Sequence, residues 1–481
     1  MPAPWVMDEV KTAAFGDKRL NKRFAEVLDE LAARPTASIP AACGGRAEMD
    51  GAYRLFANPK TSLETILQPH IDATRQRIAA QPVVLLVQDT TELNVTRPEQ
   101  QVDGAGPLDG NSRRGALLHP LHAFTPDGTP LGTVQAKAWV RAEEPVCATL
   151  SRAERAAIPI EQKESYRWVS TLRQSQEEAQ RCPSTRFICV ADSEADIYEV
   201  LVDGMADPRH SDWIVRACQN RALLCQNGEN AEEKYLREAV LAQPELFRKT
   251  IHVRGRRAKV ACEVRGRRQP RQSREAEVVV RAARVTLRPP SRPDRTLPPV
   301  TVNAVLVSEV NPPPGDEPVE WLLLTSLPVD DVEQVRQVVE YYAVRWMIEV
   351  FFRVLKSGCR VEERLFEYMD RLLSCLGVYL IVAWRTLYVC RLGRSCPEIS
   401  CEAVFEPSEW KSVWKVVRRD DPPAEPPTLG VFVRMVAQLG GYVNRKRSDP
   451  PGLQTLWIGL QRMHDFATCW DLFGPGAEAG P

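Results

Sequence analysis

The chain lacks an excess of charge of either sign: 63 Lys and Arg stand against 63 Asp and Glu. A globally basic nucleic-acid binder is not indicated, so any polyanion contact must come from local patches. It also lacks a Cys-x-x-Cys pair. The 13 cysteines are odd in number, and the closest two, Cys396 and Cys401, are five apart. That reads as reduced cytosolic usage and argues against a disulfide frame or a zinc site. Histidine is scarce, at six. His119 and His122 sit in a strand-like run, where a spacing of three points them to opposite faces, so a shared metal is not expected. Met1 to Asn21 has no apolar h-region and reads as no signal peptide. The longest charge-free apolar run, Leu372 to Trp384, ends at Arg385. A membrane span needs roughly 20 apolar residues, so this run is expected to be a buried core helix and no membrane partner is expected. No internal repeat is present.

What is there is 481 residues with an ordinary apolar fraction of 44%, enough for about two to four domains with real cores. The stretch to residue 69 reads as helical. Leu20, Phe24, Leu28 and Leu31 recur at helical spacing, and Lys18, Arg19, Lys22 and Arg23 line the other face, either as a solvated face or as phosphate contacts. Next come a strand at Val83–Val87 ending in Gln-Asp89-Thr-Thr, and a hairpin, Leu117–Thr125 and Leu131–Val140, around Pro126-Asp127-Gly128. A helix at Gln162–Gln180, a strand at Phe187–Ala191 ending at Asp192, a helix from Glu194 and a strand at Trp213–Arg216 follow. This order predicts a mixed α/β sheet of the ribonuclease H-like type.

From about 219 to 327 the chain turns β-rich, with runs at Lys259–Val264, Glu277–Val285 and Val300–Val307. Arg248 to Arg295 holds 16 Lys and Arg against four acids, Glu263, Glu275, Glu277 and Asp294. Such an excess favours polyanion contact over a merely solvated face. Asp331–Lys356 reads as one long helix and Arg364–Leu392 as another, followed by a Pro-rich stretch and helical patterns at Val431–Leu439 and Leu453–Phe466. The expected domains are a helical N-terminal part (1–69), a ribonuclease H-like part (70–394) interrupted by the β-rich insertion, and a helical C-terminal part (395–481). In the last, Phe432, Met435, Val436 and Leu439 form an apolar stripe, read either as a contact face for a second chain or as packing within its own.

Asp89 and Asp192 each follow a buried strand directly, where open α/β sheets place their chemistry. In Tyr342-Ala-Val-Arg-Trp-Met-Ile-Glu349 to Lys356, spacings of three, four and seven put Tyr342, Arg345, Glu349 and Lys356 on one helix face. Alone, Arg345 and Glu349 would be an ordinary ion pair. With the two aspartates, Glu349 completes an all-oxygen ligand set of the kind hard divalent cations take. Two such ions about 3.5–4 Å apart serve in-line phosphoryl transfer.

These residues resemble the bacterial cut-and-paste DDE transposases of the insertion-sequence group marked by a Tyr-Arg-Glu-Lys signature. Tyr342, Arg345, Glu349 and Lys356 match that signature without a break. Asp192-Ser-Glu-Ala-Asp196 and Asp89-Thr-Thr91 resemble the group's two aspartate motifs. Phe15-Gly-Asp-Lys-Arg19, Gly51-Ala-Tyr-Arg54 and Leu439-Gly-Gly-Tyr442 extend the resemblance over nearly the whole chain. The resemblance implies metal ligands at Asp89, Asp192 and Glu349, holding Mg²⁺ or Mn²⁺, with two ions expected. It implies DNA contacts at Tyr342, Arg345, Lys356 and Arg216, and an aromatic, Trp321, that stacks on a flipped base. Asp196 is not carried over and reads as a helix N-terminal residue. The implied partners are transposon-end and target DNA and a second chain in a synaptic homodimer, in the bacterial cytoplasm. The alternatives are a catalytically silent DNA-binding regulator and a ribonuclease H-like nuclease of repair or RNA processing.

Overall fold

The computed structural model describes residues 2–97, 99–109, 112–143, 150–151, 154, 157–206, 211–224, 235–253, 255, 271–292, 295–443 and 450–475. Among them the strands are β1 (Val83–Gln88), β2 (Thr91–Asn94), β3 (Gly106–Pro107), β4 (Arg114–Phe124), β5 (Pro130–Trp139), β6 (Arg186–Ala191), β7 (Asp212–Arg216), β8 (Phe247–Val253), β9 (Arg274–Leu287), β10 (Val300–Glu309) and β11 (Glu320–Thr325). The helices before residue 300 are α1 (Pro4–Glu9), α2 (Lys18–Ala33), α3 (Ile39–Ala42), α4 (Arg46–Phe56), α5 (Leu63–Ala79), α6 (Tyr166–Arg181), α7 (Tyr198–Ala206) and α8 (Leu236–Leu241). Those after it are α9 (Val332–Val344), α10 (Trp346–Arg353), α11 (Met369–Ser395), α12 (Pro407–Arg418), α13 (Leu429–Leu439) and α14 (Leu453–Phe473). The chain divides into two compact units. One is Met1–Gln81, Asp89–Pro145 and Trp346–Pro481; the other is Pro82–Gln88 and Val146–Arg345.

The second unit is built on strands in the order β1-β6-β7-β11-β10-β9-β8. β1, β6 and β7 run parallel. Their near-continuous apolar sequence fits strands buried on both faces. β11 returns antiparallel to β7, and β10, β9 and β8 continue the antiparallel order. The β-rich stretch therefore extends the sheet from its β7 edge. Trp168, Leu172, Tyr198, Leu201 and Trp213 share one core cluster with Ala304 and Leu324 of this extension. The expected strand at 259–264 lies outside the described residues. The helix expected from Glu194 begins at Tyr198, after a 3₁₀ turn at Ser193–Ala195.

In the first unit, β2, β3 and β5 pair with β4. The β4–β5 turn places Gly128 at φ 84°, where a Cβ is disfavoured. Helices α5 and α11 pack on this hairpin. His70 Nε2 accepts the Thr133 N–H at 3.1 Å, and Trp384 Nε1 donates to the Pro130 carbonyl at 3.1 Å. The apolar run is indeed interior: 83% of the most apolar window of α11 is buried. Two expectations shift. The boundary expected at 69/70 falls inside α5, a helix started by a Ser62–Thr65 capping box that carries Pro69 in its interior. Helix α12 arises from a stretch read only as Pro-rich and mixed.

The apolar stripe of α13 is core. Phe432, Met435, Val436 and Leu439 are buried in one cluster with Trp410, Val413 and Leu456. A Cβ on Gly459 would lie 1.9 Å from the Val436 carbonyl oxygen, and one on Gly440 1.9 Å from that of Thr455. Glycine thus lets α13 and α14 approach backbone to backbone. The stripe is not available as a contact face for a second chain.

Candidate active site

Asp89 and Asp192 stand two residues beyond Val87 and Val190, the last registered pair of the parallel strands β1 and β6. Each carboxylate is oriented by its own loop. Asp89 Oδ1 accepts the Thr90 N–H at 2.7 Å, and Asp192 Oδ1 accepts the Glu194 N–H at 2.8 Å. The Thr90 hydroxyl in turn meets Nδ1 of buried His119 at 2.8 Å. His122 has a separate setting, with Nδ1 3.1 Å from the Thr133 hydroxyl and its ring 4.5 Å from that of Phe351.

Glu349 lies in the first turn of α10, half-buried, on a helix anchored by buried Ile348, Phe351 and Phe352. The single helix expected over 331–356 is interrupted twice. At Arg345 the dihedrals stay helical, but its N–H bonds the Tyr342 carbonyl three residues back, at 3.0 Å, so α9 ends and α10 begins. After Arg353 the chain makes a π turn, Val354–Gly358. Lys356 sits in that turn, so the one-face arrangement from Tyr342 to Glu349 does not extend to it at α-helical pitch. Its Nζ is 3.6 Å from Glu362 Oε1, which also accepts the Asn94 N–H at 2.8 Å.

The second unit gathers Arg216, Trp321, Arg345 and Asp192 around Tyr342. Tyr342 is buried, and burial pushes its hydroxyl above the usual phenol range; nearby Arg345 and Arg216 oppose that shift while Asp192 adds to it. Arg345 also hydrogen-bonds the Tyr342 side chain. Trp321, half-buried on β11, meets the Tyr342 ring edge-on at 5.5 Å. On β7, Arg216 faces Leu323 of β11 in register. Tyr342 thus has two guanidinium groups, a carboxylate and an aromatic ring as neighbours.

Asp196 behaves otherwise than expected. Its carboxylate accepts the Cys218 and Gln219 N–H groups at 2.8 and 2.9 Å and pairs with Arg221 at 2.5 Å. It ties the β6 loop to the β7 loop. The Asp-Ser-Glu-Ala-Asp spacing hinted at a second acid but not at a partner 25 residues on.

The basic stretch is also corrected in part. Positions 254 and 256–270 lie outside the described residues. Of the described cations, Arg248, Arg281, Lys249, Arg274, Arg292 and Arg295 all pair with carboxylates of the same unit. The basic face of α2 is similarly engaged, Arg19 by Asp17 and both Lys22 and Arg23 by Glu26.

All three candidate ligands are carboxylates, the hard oxygen donors that divalent cations favour. The N–H bonds to Asp89 and Asp192 orient their carboxylates. Among the described residues, no three or more His, Cys, Asp or Glu side chains form a group that could hold a metal ion.

Three family models match along the chain. Residues 169–382 match a transposase DDE domain, residues 2–61 a transposase DNA-binding domain and residues 381–471 the transposase Tn5 dimerisation domain. A solved structure, a piggyBac transposase synaptic complex with hairpin DNA, aligns over 98% of this chain and 78% of its own at 10% identity and a TM-score of 0.37. A likeness that distant leaves the fold resting on the topology above. The mixed sheet with its helical flanks, joined to the DDE match, defines a ribonuclease H-like nucleotidyl-transfer enzyme. The chain is a DDE transposase, a metal-dependent DNA nuclease and strand transferase. The DNA-binding and dimerisation matches support DNA and a second chain as its partners.

Proposed function

We propose that this transposase excises its element by nicking each end, closing a DNA hairpin, reopening it and joining the freed 3′-hydroxyl to target DNA. By the family resemblance, Asp89, Asp192 and Glu349 would hold the divalent ions, two Mg²⁺ or Mn²⁺. Such ions would activate the attacking oxygen and stabilise the leaving one. The observation that carries the reading is the pair of aspartates at equivalent positions beyond parallel strands, with Asp192, Arg216 and Arg345 all near Tyr342. The two arginines near the buried phenol hold phosphates. Lys356 reaches a phosphate once DNA competes with Glu362 for it. The N-terminal helical part binds the ends, the part bearing the mixed sheet carries the chemistry and the C-terminal helical part pairs two chains across two ends, in the bacterial cytoplasm. The silent-regulator reading is disfavoured because all three carboxylates are present. The deciding assay incubates purified protein with end DNA and Mg²⁺ and follows nicked, hairpin and joined products on gels.

Within that assay, Trp321→Ala keeps nicking and loses hairpin. Nicking leaves every base stacked, whereas hairpin closure bends the strand sharply enough to favour an extruded base. Base–aromatic stacking contributes roughly 1–3 kcal/mol, about tenfold to a hundredfold on the hairpin step. Trp321→Phe retains a ring and restores most hairpin product. Parallel loss of both products with a lowered melting temperature would instead make Trp321 a packing residue for Tyr342.

A further inference from the structure

A groove beyond the end of α10 has no part in the reading above. It holds about 600 Å³ and runs between the π-turn segment and α14. Arg353, Ser357 and Arg360 line one side, and Gln454, Gln461 and Arg462 the other. All of them belong to the first compact unit. The lining acid, Asp465, is engaged by Arg34 at 3.4 Å, and Glu363 lies 3.6 Å from Arg360. Three lining arginines, Arg353, Arg360 and Arg462, the last also donating to the Leu439 carbonyl, against one lining acid, Asp465, leave the groove positive. Neutral hydroxyl and amide groups between the arginines supply further donors for phosphate oxygens.

The backbone explains why these cations share one groove. Arg353 is exposed one helical turn beyond Glu349, on the same face of α10. The π turn follows, and Arg360 then takes φ 48°, a left-handed conformation uncommon outside glycine and Asn. That reversal returns the chain so that Arg360, seven residues on, lines the same groove as Arg353. A non-glycine residue held in this conformation, with half of its charged side chain exposed, is a feature that functional surfaces often carry.

We propose that this groove binds the phosphodiester backbone of DNA next to the scissile phosphate, as a track leading away from Glu349. The proposal rests on the reading of Glu349 as an active-site residue. The backbone bound there belongs either to DNA flanking the element or to the target, which share the same chemistry.

The test measures anisotropy of three labelled duplexes across a salt series: an end with its flank, an end without it and an unrelated sequence. Arg353→Ala with Arg360→Ala should lower the slope of log affinity against log salt by roughly two, one for each phosphate left without its arginine. Arg353→Lys with Arg360→Lys should restore it, because a phosphate track reads charge and tolerates a change of shape. A drop confined to the flanked end assigns the groove to flanking DNA; a drop on the unrelated duplex assigns it to target. An unchanged slope on all three duplexes, with an unaltered melt, overturns the proposal. Binding does not need chemistry, so the two readings fail separately. Glu349→Gln that still cleaves removes Glu349 from the active site and leaves the groove result standing.

Discussion

Asp89→Asn, Asp192→Asn and Glu349→Gln each lose strand cleavage while end binding persists. Each substitution removes one negative charge and keeps the side-chain shape. A metal ion contributes several kcal/mol of charge stabilisation to phosphoryl transfer, so losing a ligand lowers the rate by about a thousandfold or more. Binding is expected to persist because residues 2–61, which match a transposase DNA-binding domain, contain none of the three carboxylates. A gel time course beside an end-binding titration checks both halves. A replacement by cysteine adds a second reading. Thiolate is a soft donor and disfavours Mg²⁺, so Asp192→Cys should recover activity in Mn²⁺ before it does in Mg²⁺. Cleavage at the normal rate by any of the three amide variants would remove that residue from the ligand set.

Asp196→Ala should damage the fold more than the chemistry. The carboxylate is buried and accepts two backbone N–H groups besides pairing with Arg221, which is itself almost fully buried. Removing one partner of such a pair leaves a buried charge uncompensated, a cost of about 3–5 kcal/mol and on the order of 10 °C in melting temperature. Replacing both, as Asp196→Ala with Arg221→Met, should regain much of that stability because no charge remains stranded. A variant that melts like the parent yet fails to cleave would move Asp196 from the loop clamp into the active site.

Much of this architecture was legible in the sequence where a local pattern has a single structural meaning. Val83–Val87 and Phe187–Ala191 are short, continuous and apolar, which is what parallel strands covered on both faces require, and an acid directly after each marks their ends. The helix that carries Glu349 was readable because it has an apolar face, now seen as Ile348, Phe351 and Leu355 in the core. Other features depend on what lies opposite. Phe432, Met435, Val436 and Leu439 announce an apolar face, but only the fold reveals that Trp410 and Leu456 already cover it. Arg292 and Arg295 raise the local charge count, yet their partner, Glu199, lies more than 90 residues earlier. The break at Arg345 and the π turn leave no mark in the hydrophobic period, because each shifts helix phase by no more than about one residue.

The π turn at Val354–Gly358 also sets how this gene tolerates change. A π turn accommodates about one residue more per turn than the α-helix around it. Loss of a single codon there would leave a chain able to close the turn as ordinary α-helix, keeping Glu349 and the helix before it in place. Everything beyond would be wound back by about 100°, the rotation of one α-helical residue. Lys356 would leave Glu362, and Arg360 would leave its groove. In-frame deletions in this segment are therefore expected among elements that still produce a folded, DNA-binding protein but no longer move.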